Sequence, residues 1–326
     1  MRGLPASAAQ TASVAASAVL RPADATRVTV RDLWAGYGDR RGPGAVLAGV
    51  DFSLAPGQRL AVVGQSGCGK STLLHVLAGL LPALSGEALV DGRQVAAADF
   101  EASRRPGCRS GHAAYMFQRD LLLPWKTVLG NTVFAAGVAP DRPRFAKGRD
   151  DGKAALEAKA RAILGEFGLG DALQELPARL SGGMRQRVAL ARTLVLGRGL
   201  VLLDEPLGSL DALTRAEMQS WLLDVMEAHP ATWVLVTHDV REAILLGDRV
   251  AVLAGKPARL EGWLQVPLSA GERRSLGGLE AGVGADEGSL RFVGGPDSGT
   301  GPEAAAATMR ELAAQVHGLL RERRTG

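Results

Sequence analysis

Short apolar runs alternate along the middle of the chain with longer segments in which apolar residues recur at helical spacing. The runs that predict strands cover residues 28–30, 46–54, 60–63, 114–118, 200–203, 233–236 and 250–253. Helical periodicity is typical of residues 188–196 and 213–228, which lie between such runs. Strands that alternate with helices predict an α/β fold with a parallel sheet that is covered on both faces.

The segment from residue 119 to 187 differs from this alternation. Apolar residues from Leu156 to Phe167 recur at helical spacing, and residues 140–151 form a polar stretch that contains proline. We interpret residues 119–187 as a helical insertion between two parts of the sheet.

Both ends of the chain lie outside the expected core of residues 27–259. Residues 1–26 are rich in Ala and Ser, which predicts a disordered tail; a weak signal peptide is the alternative. The extension over residues 260–326 contains a glycine-rich part, 277–301, that we expect to be flexible. After it, an apolar stripe predicts an amphipathic helix over about residues 303–323, for which docking on the domain is favoured over membrane binding.

The apolar run 60–63 leads directly into the phosphate-binding pattern G-x-x-x-x-G-K-[ST]. Its backbone N–H groups are expected to surround phosphate oxygens at the positive end of the following helix. Lys70 adds a cation for the β- and γ-phosphates, and Ser71 offers a hydroxyl to Mg²⁺. A glycine-rich turn could match by chance, but strand, loop and helix follow in the required order. The expected loop residues are Gly64, Gln65, Ser66, Gly67, Cys68, Gly69, Lys70, Ser71 and Thr72.

A second candidate group is the acidic pair Asp204 and Glu205, which follows the apolar run 200–203. Asp204 is expected to hold Mg²⁺ through water opposite Ser71, as acids at strand ends do in phosphate-loop enzymes. Glu205 is then placed to accept a proton from an attacking water. Acids also end strands simply to meet solvent, but a phosphate loop in the same sheet disfavours that alternative.

Three further features are weak evidence of a functional site when each is taken alone. Ser181, Gly182 and Gly183 open a helix and form a second candidate anion site. Tyr37 is placed either to stack on an adenine ring or to pack on the sheet, and its position does not decide between the two. Cys68 lies near a helix N-terminus, which predicts a lowered thiol pKa and reactivity with thiol reagents; a small packed residue is the alternative.

Composition narrows the class of protein. The formal charge of +4 is mild for 326 residues, so a solvated basic surface is favoured over contact with anionic lipid or nucleic acid. Two cysteines do not make a disulfide framework, which indicates a reducing compartment. No run of about 18 or more apolar residues occurs, so no membrane span is expected.

Taken together, the motifs resemble the ATP-binding subunit of an ABC transporter over about residues 27–255. The phosphate loop corresponds to Walker A. The other matches are Gln118 to the Q-loop, 180–187 to the ABC signature, 200–206 to Walker B, 209–211 to the D-loop and His238 to the switch histidine. Tyr37 falls where this family places its adenine-stacking aromatic residue. Met184 stands where the usual signature has glutamine.

The resemblance implies an α/β fold of the P-loop NTPase class, with a RecA-like parallel core, a small antiparallel β subdomain and a helical insertion. It implies ATP and Mg²⁺ as ligands, with the metal held by Ser71, Gln118 and Asp204. Catalysis would involve Lys70, Gln118, Glu205 and His238, with Glu205 polarising the water. Two subunits would pack head to tail.

In that dimer, Ser181, Gly182, Gly183 and Asp211 of one subunit would complete the nucleotide site of the other. The two ATPase subunits would form a homodimer or a heterodimer. They would lie peripherally on the cytoplasmic face of the membrane. The resemblance also implies integral permease subunits and an extracytoplasmic solute-binding protein as partners.

The stretch 118–131 resembles importers of nitrate, sulfonate, taurine or bicarbonate, or of thiamine-pyrimidine precursors. Other importers, such as those for polyamines or phosphonates, are the alternative. The apolar run 121–125 would line the groove that receives the permease, or else belong to the core of the insertion. Contact with nucleic acid is not expected, since the chain has one phosphate loop and no sustained heptads. A regulator that does not hydrolyse ATP is disfavoured because Glu205 and His238 are both present.

Overall fold

The computed structural model describes residues 25–37, 44–97, 112–138, 149–277 and 302–321. Ten strands form one sheet in the order β5-β4-β1-β2-β10-β9-β3-β8-β7-β6. The strands are β1 Val28–Gly36, β2 Ala45–Leu54, β3 Arg59–Val63, β4 Ser85–Val90, β5 Arg93–Ala97, β6 Ala113–Met116, β7 Leu200–Asp204, β8 Thr232–Thr237, β9 Arg249–Gly255 and β10 Ala258–Gln265. The helices are α1 Lys70–Leu77, α2 Val128–Val138, α3 Arg149–Glu166, α4 Gly182–Leu194, α5 Ala212–Ala228, α6 Val240–Leu246, α7 Ala270–Gly277 and α8 Pro302–Arg321.

One half of the sheet is parallel. Strand β3 pairs with β8 and β9, β8 pairs with β7, and β7 pairs with β6, all in parallel register. Every residue of β7 and β8 is buried, because helices cover both faces of these strands. Continuous apolar sequence in these runs is therefore the direct consequence of burial on two sides.

The other half is antiparallel. Strand β1 pairs with β2 and β4, and β4 pairs with β5 through the turn at Asp91-Gly92. Asp91 has a φ of 50° and Gly92 a φ of 72°, the left-handed conformation that a tight hairpin turn requires. The expected combination of a parallel core and a small antiparallel part is therefore present.

Helices α2, α3 and α4 lie between β6 and β7 in the chain, where the helical insertion was expected. Four apolar residues on or next to α3 are buried in the same apolar cluster as Val188 of α4. They are Ala160, Ile163, Leu164 and Phe167. The helical spacing in this segment therefore indicates a buried face. The polar stretch 140–151 lies mostly outside the described residues.

The sheet continues beyond residue 259, where the core was expected to end. Strand β10 runs from Ala258 to Gln265 and pairs antiparallel with β9. Arg259, Glu261 and Gln265 interrupt the apolar residues of this strand. Its sequence is therefore less apolar than that of the neighbouring strand β9. The tail before residue 25 and the glycine-rich part from 278 to 301 lie outside the described residues.

Helix α8 docks on the domain. Ala305, Met309, Leu312 and Val316 are buried in the larger apolar cluster, as the stripe along this helix predicted. Helix α7 packs against α5, α6 and α8, and its Arg273 is almost fully buried. The guanidinium of Arg273 donates to the carbonyl oxygens of Ile244, Leu245 and Gly247 at the end of α6, at 2.7–2.9 Å. None of the helices in the described part of the chain is long and apolar enough to cross a lipid bilayer.

The docking of α8 leads to a prediction about stability. Met309→Ala should lower the free energy of unfolding by about 2–5 kcal/mol, because a buried side chain is removed and a cavity remains. Gln315→Ala, at an exposed position of the same helix, is the matched control and should change it little. Urea denaturation of both variants measures the difference. Equal midpoints for the two variants would show that the helix is not docked.

Candidate active site

The loop between β3 and α1 is closed by its own lysine. The Nζ atom of Lys70 donates to the carbonyl oxygens of Gly64 and Gln65, at 2.9 and 3.0 Å. Gly69 has a φ of 113°, and a Cβ at this position would lie 2.7 Å from Val46 Cγ1. Only glycine meets both conditions, so the chain can turn here into α1 and direct backbone N–H groups toward an anion.

The acid at the end of β7 is held through both of its oxygens. Ser71 Oγ donates to Asp204 Oδ1 at 2.9 Å, and the hydroxyl of Tyr115 donates to Asp204 Oδ2 at 2.9 Å. Burial, followed by the charge of Asp204, raises the pKa of Tyr115, so this hydroxyl keeps its proton at neutral pH. Sequence reasoning singled out Ser71 and Asp204 but missed Tyr115, whose only indication was its place on the strand that precedes Gln118.

Glu205 is the point on which several side chains converge. Its Oε2 lies 3.2 Å from Gln118 Nε2, which donates to it, and 3.2 Å from His238 Nδ1. Its Oε1 lies 3.8 Å from Lys70 Nζ. Glu205 has a φ of 44°, a strained conformation that non-glycine residues adopt mostly where function requires it. The structure therefore brings together Lys70, Gln118, Glu205 and His238.

The register of the parallel strands explains this convergence. Asp204 pairs with Val236, and Val63 pairs with Thr237, so β3, β7 and β8 end side by side. The phosphate loop, Glu205 and His238 each follow directly after one of these strands. Residues far apart in the sequence therefore meet at one edge of the sheet.

The expected signature lies apart from this group. Ser181 caps α4, and its Oγ accepts a hydrogen bond from Met184 N at 3.2 Å. Among the described residues, no hydrogen bond joins Ser181, Gly182 or Gly183 to the phosphate loop. Asp211 caps α5 in the same way, and the hydrogen bonds donated by Thr214 lower the pKa of this exposed carboxyl. The predicted signature residues and the phosphate loop are therefore two separate groups within one chain.

The signature helix and the segment that follows Glu205 are nevertheless linked within the chain. Gln186 of α4 is buried, and its Nε2 donates to Ser209 Oγ at 3.1 Å. Ser209 lies in the segment that leads from Glu205 to Asp211. The signature helix and the segment after β7 are therefore held in contact.

Tyr37 lies at the edge of the site with 63% of its surface exposed. Its hydroxyl hydrogen-bonds Nδ1 of His75, on the helix α1 that follows the phosphate loop, at 2.9 Å. The ring is thus oriented by its hydroxyl rather than by packing in the core. Stacking on a base remains a prediction for this exposed ring.

The expectation for Cys68 was wrong. The thiol is buried, its Sγ lies 3.6 Å from the carbonyl oxygen of Leu253, and burial raises the pKa of Cys68 above its ordinary value. Lys70 opposes this shift, but desolvation is the larger effect. The alternative of a small packed residue describes this cysteine, whereas Cys108 lies outside the described residues.

Sequence reasoning also missed Glu242, which lies beneath the switch segment. Thr237 Oγ1 donates to Glu242 Oε2 at 3.0 Å and accepts a hydrogen bond from Asp239 N at 3.0 Å. Glu242 is 3% exposed, and burial raises its pKa to about 7. Thr237 therefore links the buried carboxyl group of Glu242 to the backbone N–H of Asp239, on the other side of His238.

A family model described as ABC transporter matches residues 47–208. The aliphatic sulfonates import ATP-binding protein SsuB of Cupriavidus necator is 47% identical over 208 residues, which cover 64% of this chain and 61% of that relative. SsuB 1 of Mesorhizobium japonicum is 42% identical over 264 residues, covering 80% of this chain and 89% of that relative. The chain therefore belongs to the ABC transporter ATP-binding family.

Solved structures agree with this assignment. The dimeric bacterial ABC transporter cassette MJ0796 has a TM-score of 0.60 and 26% identity, and the match covers 74% of this chain and 100% of that one. The expected P-loop fold and the ATPase activity are thereby confirmed.

The buried Glu242 leads to a prediction about pH. Its folded-state pKa, raised to about 7, lies above the ordinary value, so the folded protein binds more protons than the unfolded chain between roughly pH 4.5 and 7. The contribution of Glu242 to stability is therefore present at low pH and lost as the pH rises through this window. Glu242→Gln should become more stable relative to wild type from pH 5 to pH 8, as measured by urea denaturation.

A control for this experiment is Glu217→Gln, at an exposed position of α5. The difference between this variant and wild type should not change with pH. If the free energy of unfolding of Glu242→Gln relative to wild type also stayed constant with pH, that result would contradict the raised pKa of Glu242.

Proposed function

We propose that this chain is the ATP-hydrolysing subunit of an ABC importer, and that the importer takes up aliphatic sulfonates or related small oxyanions such as nitrate and taurine. The catalytic role rests on the convergence of Lys70, Gln118 and His238 on the carboxylate of Glu205, whose backbone is strained. The sulfonate class is supported by the names of relatives at 42% and 47% identity.

In the proposed reaction, ATP binds with its phosphates on the loop Gly64–Thr72 and its adenine against Tyr37. Lys70 releases the carbonyl oxygens of Gly64 and Gln65 and contacts the β- and γ-phosphates. Glu205 accepts a proton from the attacking water. Gln118 and His238 hold the Glu205 carboxylate in place before the water arrives, since both lie within hydrogen-bond distance of its Oε2.

Mg²⁺ is proposed as the cofactor of this site. The hydroxyl of Ser71 and the carboxylate of Asp204 meet at 2.9 Å, and oxygen atoms are the donors that Mg²⁺ prefers. Among the described residues, no cluster of three or more acidic, histidine or cysteine side chains forms a complete metal cage. The remaining ligands would come from Gln118, water and the nucleotide phosphates. When bound, the ion neutralises charge on the phosphate oxygens.

A dimer is proposed as the active form. Ser181, Gly182 and Gly183 form an anion site at the start of α4, yet they lie apart from the phosphate loop of their own chain. A second subunit packed head to tail would supply this group and Asp211 to the open side of the nucleotide. The dimeric state of the similar cassette supports this arrangement.

The proposed permease surface is the loop that follows Gln118. Trp125 is 72% exposed and Leu121 is 52% exposed, so these two side chains lie outside the core of the insertion, whereas Leu122 packs partly against it. The loop is nevertheless rigid, because Asn131 accepts from Leu123 N at 2.7 Å and donates to the carbonyl oxygens of Lys126 and Thr127 at 2.9 and 3.1 Å. A large apolar ring held outward on a fixed loop is typical of a protein interface.

This loop is also tied to the signature helix. Arg185 of α4 pairs with the Asp120 carboxylate at 3.2 Å, and Arg192 of α4 donates to the carbonyl oxygen of Leu121 at 2.8 Å. Motion of Gln118 toward a nucleotide would therefore move the loop and α4 together. We infer that ATP binding reaches the membrane partner by this route.

The partners follow from this arrangement. Two ATPase subunits, identical or different, would lie on the cytoplasmic face of the membrane through contact with integral permease subunits. An extracytoplasmic solute-binding protein would deliver the solute to the same system. Nucleic acid is not proposed as a partner.

Glu205→Gln tests the catalytic assignment. The variant should bind ATP as wild type does but hydrolyse it about 10²- to 10⁴-fold more slowly, because the general base is lost. It should also accumulate as an ATP-bound dimer on size-exclusion chromatography. Glu217→Gln, on an exposed helical face, serves as the control. Turnover by Glu205→Gln close to that of wild type would refute the role of Glu205 as the base.

Trp125→Ala tests the permease surface. The variant should keep ATP binding and its melting temperature but co-purify less with the permease, since an interface aromatic can contribute more than about 2 kcal/mol. Leu80→Ala removes another exposed apolar side chain, outside the insertion, and should leave co-purification unchanged. A lowered melting temperature with unchanged permease association would instead show that Trp125 serves stability.

A further inference from the structure

A row of side chains crosses the site from its adenine edge to its metal edge. Tyr37 bonds His75 through its hydroxyl at 2.9 Å, and the His75 ring stacks on Tyr115 with centroids 5.7 Å apart. The hydroxyl of Tyr115 then donates to Asp204 Oδ2 at 2.9 Å. Neither His75 nor Tyr115 has a part in the proposed reaction, so their arrangement needs its own explanation.

The Asp204 carboxylate depends on this row for one of its two oxygens. Asp204 is buried, and a buried carboxylate is stable only when its oxygens are hydrogen-bonded. Ser71 occupies Oδ1 and Tyr115 occupies Oδ2. Because the two partners lie on opposite oxygens, they determine the rotation of the carboxylate about its side-chain bond.

Tyr115 is itself held in one orientation. Its ring lies between His75, at an interplanar angle of 27°, and Phe117, whose centroid is 4.5 Å away. His75 belongs to α1 and Phe117 to the segment that leads to Gln118. The hydroxyl is thus directed at Asp204 by neighbours from two different elements, and it cannot swing toward solvent without losing both contacts.

We propose that Tyr115 is a positioning residue that orients Asp204 Oδ1 toward Ser71 for a divalent cation. The inference rests on the proposed Mg²⁺ site and names the residue that prepares it. Tyr115 does not touch the cation. Its effect passes through the Asp204 carboxylate, in the way that hydrogen bonds behind a metal ligand set its direction.

The test measures metal affinity rather than turnover. Purified full-length chain is saturated with the non-hydrolysable analogue AMP-PNP, and Mn²⁺ is titrated as the probe by electron paramagnetic resonance. Tyr115→Phe should weaken Mn²⁺ binding about tenfold, because loss of a hydrogen bond behind a metal ligand has an effect of this order. Binding of AMP-PNP in the presence of EDTA should stay as in wild type.

Phe117→Leu is the matched control. It keeps an apolar side chain beside the Tyr115 ring, and the His75 ring and the hydrogen bond to Asp204 still orient the hydroxyl. Mn²⁺ affinity should therefore fall much less than in Tyr115→Phe. Tyr115→Met, a second variant without a donor, should match Tyr115→Phe. Ser71→Ala removes an expected ligand directly and should weaken Mn²⁺ binding as well.

The outcomes are distinct. Wild-type Mn²⁺ affinity in both Tyr115 variants, with or without a fall in melting temperature, overturns the inference and shows that the residue only packs. An equal loss in Phe117→Leu overturns it too, since the cause is then ring packing. If the wild-type chain binds neither AMP-PNP nor Mn²⁺, the proposed function fails and this inference fails with it.

Discussion

The parallel register of β3, β7 and β8 is the constraint on which the site depends. These strands are buried on both faces, so their relative positions are determined by packing across the whole core. Because they end at the same edge, the residues that follow each strand are brought within a few ångströms. This register brings together the phosphate loop, the Asp204-Glu205 pair and His238, which lie far apart in the sequence.

Electrostatics at this edge are balanced within the chain. Lys70 is buried, yet its ammonium group is satisfied by two loop carbonyl oxygens and lies near Glu205. Asp204 is satisfied by Ser71 and Tyr115. Each charge therefore has polar partners within the chain, which a bound nucleotide can replace or join. This pre-arrangement lowers the reorganisation that binding would otherwise require.

The parts of the chain outside the parallel core extend this site in two directions. The insertion ties the loop after Gln118 to α4 through Arg185 and Arg192. At the other side, Arg273 of α7 binds the carboxyl end of α6, whose amino end begins directly after His238. Segments that are late in the chain thus support the segment that carries His238.

The sequence alone was sufficient for the elements whose pattern is local. Continuous apolar runs predicted the central strands because these strands are buried on both faces, and the phosphate loop was recognised because its glycines are required by backbone geometry. The apolar stripe of α8 likewise predicted docking. In each case, one segment carries the whole physical reason for its own structure.

Tertiary structure decided the features that depend on partners distant in the chain. Strand β10 was missed because pairing with β9, rather than apolar content, makes it a strand. The pKa of Cys68 is raised because the loop packs against Leu253, which no local pattern shows. Tyr115 became visible only when folding placed it against Asp204, since a hydrogen-bond partner on another strand leaves no trace in the sequence around the residue. Glu242 is close to Thr237 in the chain, but its burial depends on the core that packs around α6.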